Sequence, residues 1–276
     1  MARKRPTIAD VRANKGKLQY TMMRTENWEE LAAAEAAGID MVSVTPEMMT
    51  DRRFREVAPS LFAVPGLNFY DVGTTDDFIR WSFTMLKAGA DAIYCSASLH
   101  TVKRLAEEGV PVIGHVGLVP SKASWTGGFR AVGKTADSAM KVYEDCLRYE
   151  EAGAFGVEIE VVPAEITAEI AKHTRLFLVS MGGGTGGDCQ YLFGTDVLGT
   201  NTGHVPRHAK QYANLARELD RMQKIRVDAF RAFVEDVRTG AYPESKHVVA
   251  VSPAELKGFR SLLSKSRKSI LKEKSE

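Results

Sequence analysis

Short apolar runs alternate with helical patterns along most of this chain. Residues 18–23, 41–44, 61–64, 92–95, 112–115 and 176–180 are apolar runs of strand length. The third of them leads into the loop Pro65-Gly66-Leu67-Asn68. One further stretch has a different rhythm. Val157, Ile159 and Val161 alternate with Glu158 and Glu160, which is the period of a strand, and Pro163 ends it because it has no N–H for a ladder. An eighth strand is the weakest and is predicted around Val197-Leu198.

Helical patterns fill the intervals. Asn27 caps one, with Glu30 three residues on and Gly38 at its end. Others run over 76–87, 102–108, 136–152 and 166–172, and Gly89, Gly109 and Gly153 follow the first three. Strand and helix alternating over roughly 200 residues predict a (β/α)₈ barrel of the α/β class, with a doubly wound open sheet as the rival arrangement. Residues 1–17 form a basic arm with a short helix, predicted to lie in solvent. The barrel and its C-terminal helix then occupy 18–243. From His208 to Val237 apolar residues recur every three or four positions, giving one long amphipathic helix or two. Residues 244–276 are a charged polar extension predicted to fray.

Composition narrows the picture further. A hydrophobic content of 44% is ordinary for a globular chain of 276 residues, and a net charge of +2 gives no ground for a nucleic-acid partner. Cys95, Cys146 and Cys189 are odd in number and match no metal spacing, so they read as reduced thiols. No signal-peptide or membrane-spanning run is present, which points to a cytoplasmic protein without a membrane partner.

In a barrel, chemistry sits where the strands end. The predicted strand ends place Arg24, Thr45, Glu47, Gly66, Tyr94, Ser96, His115, Glu158, Glu160, Ser180 and Asp188 at one mouth. Two neighbouring carboxylates raise at least one pKa, which suits a general acid or base. Glu160 is therefore the first candidate for the base and His115 for its proton-handling partner. Neutralisation of Arg24 or a lysine is the competing role for the carboxylates, and a purely structural one for His115. Arg24, Glu47, Tyr94, Ser96, Glu158, Ser180 and Gly183 are the candidate substrate contacts. The glycine run 182–187 allows close backbone approach to a ligand, but it has neither the Walker A ending nor a dinucleotide fingerprint.

Several of these segments, in order, resemble the ketopantoate hydroxymethyltransferase (3-methyl-2-oxobutanoate hydroxymethyltransferase) family. They are Gly109–Pro120, Gly127–Lys134, Glu151–Phe155, Glu160–Glu165, Asp188-Cys189-Gln190, Asp196–Gly199, and Val234–Gly240 with Pro243. The resemblance implies a barrel of the phosphoenolpyruvate mutase/isocitrate lyase kind, often a homo-oligomer. It implies transfer of a one-carbon unit from methylenetetrahydrofolate to a small 2-oxo acid, with Mg²⁺ stabilising the enolate. Glu160 falls on the family's catalytic base and His115 on its active-site histidine.

The metal ligands implied by the resemblance do not carry over. Their positions fall on Pro46, Gly66 and Ser96, and the accompanying lysine falls on Tyr94. No metal site is therefore expected, although Glu47 stands one residue from a former ligand. Arg24 is expected to supply positive charge instead, paired with Glu158 or Glu160 until a carboxylate substrate arrives. Two functions follow. One is C–C bond chemistry, as hydroxymethyl transfer or a related lyase or aldol reaction. The other is a non-catalytic acid-binding or regulatory relative.

Overall fold

The computed structural model describes residues 3–67 and 72–273; Asn68 of the loop after the third strand lies outside them, as do residues 1–2 and 274–276. Two compact units are present, residues 1–216 and 217–276.

The first unit begins with helix α1 (Ile8–Ala13), followed by β1 (Tyr20–Arg24), α2 (Trp28–Ala37), β2 (Met41–Val44), α3 (Pro46–Thr50), α4 (Phe54–Val57) and β3 (Phe62–Pro65). Next come α5 (Thr75–Lys87), β4 (Ile93–Tyr94), α6 (Leu99–Glu107), β5 (Val112–Gly117), α7 (Ala123–Thr126) and α8 (Ala136–Glu151). It ends with β6 (Gly156–Glu160), α9 (Ala164–Lys172), β7 (Phe177–Met181), β8 (Cys189–Phe193) and α10 (Gly194–Leu198). The strands pair in parallel in the order β3-β2-β1-β8-β7-β6-β5-β4. Backbone bonds from Asp91 and Ala92 to the Ala63 carbonyl, at 2.9 and 3.3 Å, bring β4 to β3 and close the ring. The fold is the predicted (β/α)₈ barrel, and the open sheet is excluded.

Two apolar layers follow from strand alternation. Val42, Val44, Ala63, Ile93, Val112, Val157, Ile159 and Leu178 face outward and pack under the helices. Met22, Met41, Phe62, Ile113, Phe155, Phe177, Val179 and Tyr191 fill the barrel interior.

Three expectations are corrected. The basic arm does not lie free in solvent. Val11 of α1 is fully buried in the interior layer and stoppers the N-terminal end of the barrel, while Arg3 pairs with Asp40 at 2.6 Å and Lys15 with Asp188 at 2.9 Å. The eighth strand lies at Cys189–Phe193, and Val197-Leu198 belongs to α10. Residues 189–193 pair with all of β1, whereas a helical turn from Gly194 carries the two apolar residues that suggested a strand. Finally, the charged tail is not frayed over residues 253–273. α11 (Leu215–Thr239) is followed by a second helix, α12 (Pro253–Glu273), whose first turn is capped by Ser252 Oγ accepting from the Glu255 N–H. Lysine and arginine hide a helical spacing there, in Leu256, Phe259, Leu262 and Leu263.

Candidate active site

β6 supplies the two carboxylates. Its register sets Glu158 level with His115 on β5 and with Val179 on β7, and Glu160 one pleat nearer the C-terminal mouth, level with Gly117 and Met181. Both carboxylates are buried, as is His115. Immediately after Glu160 the chain turns through Val161, which has φ +50°. A β-branched residue is strained in the left-handed region, and local strain of this kind gathers at functional sites. Two backbone bonds hold it: Val161 N donates to Met181 O at 2.8 Å and Val132 N donates to Val161 O at 3.1 Å.

A cavity of about 410 Å³ opens above these residues. Its walls are largely apolar, from Met22, Val64, Ile113, Val179, Met181 and Phe193, and its polar groups are Arg24, Glu26, Ser43, Tyr94, His115, Glu158, Glu160 and Tyr191. A larger hollow, about 1070 Å³, lies at the opposite end of the barrel, beside Lys15 and Asp188. Its principal charges are already paired: Lys15 with Asp188, Arg175 with Glu150 and Lys172 with Glu169. The smaller cavity is where polar groups converge on an apolar pocket, and it is the candidate site.

His115 links the site's acids. Its Nδ1 meets the Tyr94 hydroxyl, and its Nε2 lies 3.1 Å from Glu160 Oε2. The latter contact is an ion pair by distance, but the nitrogen is left without a well-directed hydrogen bond. Burial pulls the imidazole pKa down, yet Glu158 and Glu160 together, with the Leu118 backbone, leave it above the ordinary histidine value. Burial pushes Glu158 up to about 7; His115 opposes the rise and Glu160 adds to it. The Tyr94 hydroxyl is raised well above its usual range, first by burial and then by Glu158, while Ser96 bonds to it and works the other way. Burial and Glu158 also raise Tyr191, while a bond to Ser43 and the charge of Arg24 oppose the rise.

Arg24 is where the sequence places it, but its partner is not. Nε donates to Glu26 Oε1 at 2.7 Å and Nη2 to Glu26 Oε2 at 3.3 Å, a fork closed on a carboxylate two residues away. It does not pair with Glu158 or Glu160. Nη1 reaches Ser43 Oγ at 3.3 Å and lies over Gly66, where a Cβ would stand 2.8 Å from it. A side chain at 66 would displace the guanidinium from this position.

The other expected contacts stand apart from the cavity. Glu47 is on the exposed side of α3, because Pro46 opens that helix and Met48 and Met49 take its buried side. Ser96 is buried against the Tyr94 hydroxyl and acts on the cavity only through it. Ser180 Oγ donates to Gly184 O at 2.9 Å and accepts from Gly183 N at 3.1 Å, so both residues brace their own loop. The glycine run lies outside this cavity, and two of its members approach α9: a Cβ on Gly184 would stand 2.4 Å from Ala164 Cβ, and one on Gly186 2.5 Å from Ala168 Cα. Asp188 precedes β8 and lies at the N-terminal end, where it accepts from Lys15 Nζ, Gly16 N and Leu178 N. The Cys189 thiol is fully buried and burial raises its pKa well above the usual value, which disposes of it as a nucleophile. Three polar residues of the cavity are not among those the sequence pointed to: Glu26, Ser43 and Tyr191. The alternation of Cys189, Tyr191 and Phe193 with Gln190 and Leu192 would have found Tyr191.

The Mg²⁺ implied by the resemblance does not fit its usual place. Pro46, Gly66 and Ser96 offer no carboxylate, and Arg24 occupies the space over Gly66. One nitrogen and two carboxylate oxygens of His115, Glu158 and Glu160 do lie within 4.8 Å of one another. The imidazole Nδ1, however, is taken by Tyr94, and Nε2 lies 3.1 Å from Glu160 Oε2 without a well-directed hydrogen bond. We assign none of these residues to a metal.

With this geometry established, the relatives can be compared. The family described as ketopantoate hydroxymethyltransferase matches residues 40–245. The 3-methyl-2-oxobutanoate hydroxymethyltransferase 1 of Methylibium petroleiphilum is 31% identical, over 96% of this chain and 96% of its own. That of Thermus thermophilus is 31% identical over 88% of this chain and 99% of its own, and that of Bacillus subtilis 28% identical over 86% and 92%. Among solved structures, 2,3-dimethylmalate lyase, a phosphoenolpyruvate mutase/isocitrate lyase superfamily member, covers 96% of this chain and 98% of its own at 14% identity and a TM-score of 0.51. Phosphonopyruvate hydrolase covers 94% and 98% at 15% identity and a TM-score of 0.50. These two likenesses concern the fold alone. The chain belongs to the ketopantoate hydroxymethyltransferase family.

Proposed function

We propose that this chain is a hydroxymethyltransferase-type enzyme that forms a C–C bond at the carbon next to the oxo group of a small 2-oxo acid, without Mg²⁺. The observation that carries the reading is the buried Glu160–His115 pair at one side of an apolar-walled cavity with an arginine fork in the same cavity. Arg24 exchanges Glu26 for the substrate carboxylate, since a guanidinium holds either bidentately. The apolar walls receive the alkyl group. Glu160 removes the proton from the carbon next to the oxo group, and the electron pair moves onto the oxo oxygen. His115 steadies Glu160 and, through Nδ1, orients Tyr94. The resulting carbanion takes the one-carbon unit, at the oxidation level of formaldehyde, from methylenetetrahydrofolate, the co-substrate implied by family membership; water supplies the hydroxyl oxygen and tetrahydrofolate leaves. Substitution of neutral groups at all three former ligand positions supports the metal-free reading.

Proton NMR of 3-methyl-2-oxobutanoate in D₂O tests this. The C3 proton is expected to exchange in the presence of the enzyme, and ketopantoate to form when methylenetetrahydrofolate is added. Neither event, with or without Mg²⁺, would overturn the reading.

We also infer a homo-oligomer in the cytosol. No helix among the described residues is long and apolar enough to cross a membrane. Support for assembly comes from α11, which leaves Leu219, Ile225, Phe230, Phe233 and Val237 at least half exposed. A monomeric mass by light scattering at micromolar concentration would contradict it.

A further inference from the structure

Glu158 is the one carboxyl in the cavity that nothing holds. It is 7% exposed, yet among the described residues no N–H or O–H donates to it. Glu160 has His115 beside it, and Glu26 has Arg24. The groups that bear on Glu158 come from four strands. His115 on β5 attracts it and Glu160 on its own strand repels it. Tyr94 on β4 and Tyr191 on β8 are neutral hydroxyls that feel its charge. The arginine that lines the cavity, Arg24 on β1, is committed to Glu26. No lysine or arginine contributes to Glu158 itself.

A buried ion without donors or a countercharge is costly, and a proton removes the cost. With His115 as imidazolium and Glu160 as carboxylate, the buried trio is neutral only when Glu158 carries that proton. We propose that Glu158 works as a neutral carboxylic acid, donating its O–H to the oxo oxygen of the bound ligand as negative charge develops there. This rests on the enolisation proposed above and adds to it the group that stabilises the enolate. In that step the C–H bond breaks and its proton goes to Glu160; its electron pair forms the C=C bond of the enolate while the carbonyl π pair moves onto the oxo oxygen. Glu158 keeps its own proton and lends a hydrogen bond. A neutral acid held in an apolar site is an effective donor to an oxyanion, because its own ionisation is disfavoured there. Arg24 is left free for the carboxylate.

Two measurements on the chelator-treated full chain test this. The first is infrared spectroscopy. Wild type at pH 6 should show the C=O band of a protonated carboxyl that shifts in D₂O, fades above pH 8 and is missing in Glu158→Gln. The second uses oxalate, a planar dianion resembling the enolate, in titration calorimetry. Glu158→Gln keeps an N–H donor and should bind within about threefold of wild type at pH 6, whereas Glu158→Leu should bind about tenfold more weakly, the worth of one hydrogen bond. Wild-type affinity should fall about tenfold between pH 6 and 8.5 relative to Glu158→Gln, as the donor is lost. Should either variant fail to fold, the wild-type band and its pH dependence still decide. Absence of the band, equal oxalate binding by Glu158→Leu, or one equivalent of tightly held divalent metal whose removal abolishes oxalate binding would each overturn the proposal. The two readings fail separately. If the band and the oxalate pattern hold while no deuterium exchange occurs, the enolisation reading falls and Glu158 remains an anion-binding acid. If exchange occurs without the band, only the role of Glu158 falls.

Discussion

The two ends of this barrel treat buried charge in opposite ways. At the N-terminal end Asp188 is 4% exposed and has three donors: an ammonium and two backbone N–H groups, all at 2.8–2.9 Å. Asp91, which precedes β4 at the same end, accepts from Arg55 and from the Ala63 backbone. At the C-terminal mouth Glu158 is buried to a similar depth and has no donor among the described residues, and His115 Nε2 lacks a well-directed partner among them. Buried charges whose hydrogen-bonding capacity is filled hold the fold together, while those left open have capacity for a ligand. Mutations at the two ends should therefore separate stability from activity.

The largest effect is expected at Glu160. Glu160→Gln should lower the exchange rate by about 10²–10⁴-fold, the usual worth of a positioned base, with little change in melting temperature. An unaltered rate would remove Glu160 from the chemistry. Asp188→Ala should show the converse: about 3 kcal/mol lost in urea unfolding with kcat per folded molecule unchanged, since it strands Lys15 and two backbone donors. Next is Arg24→Ala. Calorimetric titration with oxalate should show about 2–5 kcal/mol of lost affinity if the guanidinium is the desolvated partner of the carboxylate; an unchanged affinity would leave the fork as a local tie to Glu26.

The last effect concerns pH, where only part of the change falls inside an accessible window. The Glu158 pKa in the folded chain is about 7, above the usual 4.5, so the folded state holds its proton over a wider range than the unfolded chain. The stability Glu158 contributes is full below pH 4.5 and is lost as pH rises through 7, by roughly 3 kcal/mol in total. His115, also raised, contributes in the same direction from its ordinary value of 6.5 upward. Denaturant titrations at pH 5.5 and pH 8 should show wild type losing stability toward pH 8, with much of that slope absent in Glu158→Gln. An identical slope in both proteins would show that the titration belongs elsewhere.

Much of the mouth was legible in the chain because strand alternation fixes which side chains share a face. Glu158, Glu160, His115, Tyr94 and Arg24 all line the cavity. The failures have definite causes. An eighth strand at Val197-Leu198 leaves Asp188 in a loop at the mouth, whereas it precedes the real strand and lies at the other end. Tyr191 was lost by the same displacement. Arg24 was expected to reach across the barrel, whereas Glu26, two residues on, satisfies it locally. A glycine run can approach a ligand, but Ser180 and Gly183 bond within their own loop, and Gly184 and Gly186 lie against α9. Partner choice and the direction of a loop depend on contacts between distant segments, which periodicity does not encode.

The most direct test of the whole account is deuterium exchange at C3 of 3-methyl-2-oxobutanoate, catalysed by protein stripped with EDTA and verified metal-free. A mouth in which Glu160 removes the proton and Arg24 supplies the positive charge should exchange at the same rate before and after stripping, and Glu160→Gln should not exchange. Exchange that disappears with EDTA and returns with Mg²⁺ would contradict the account.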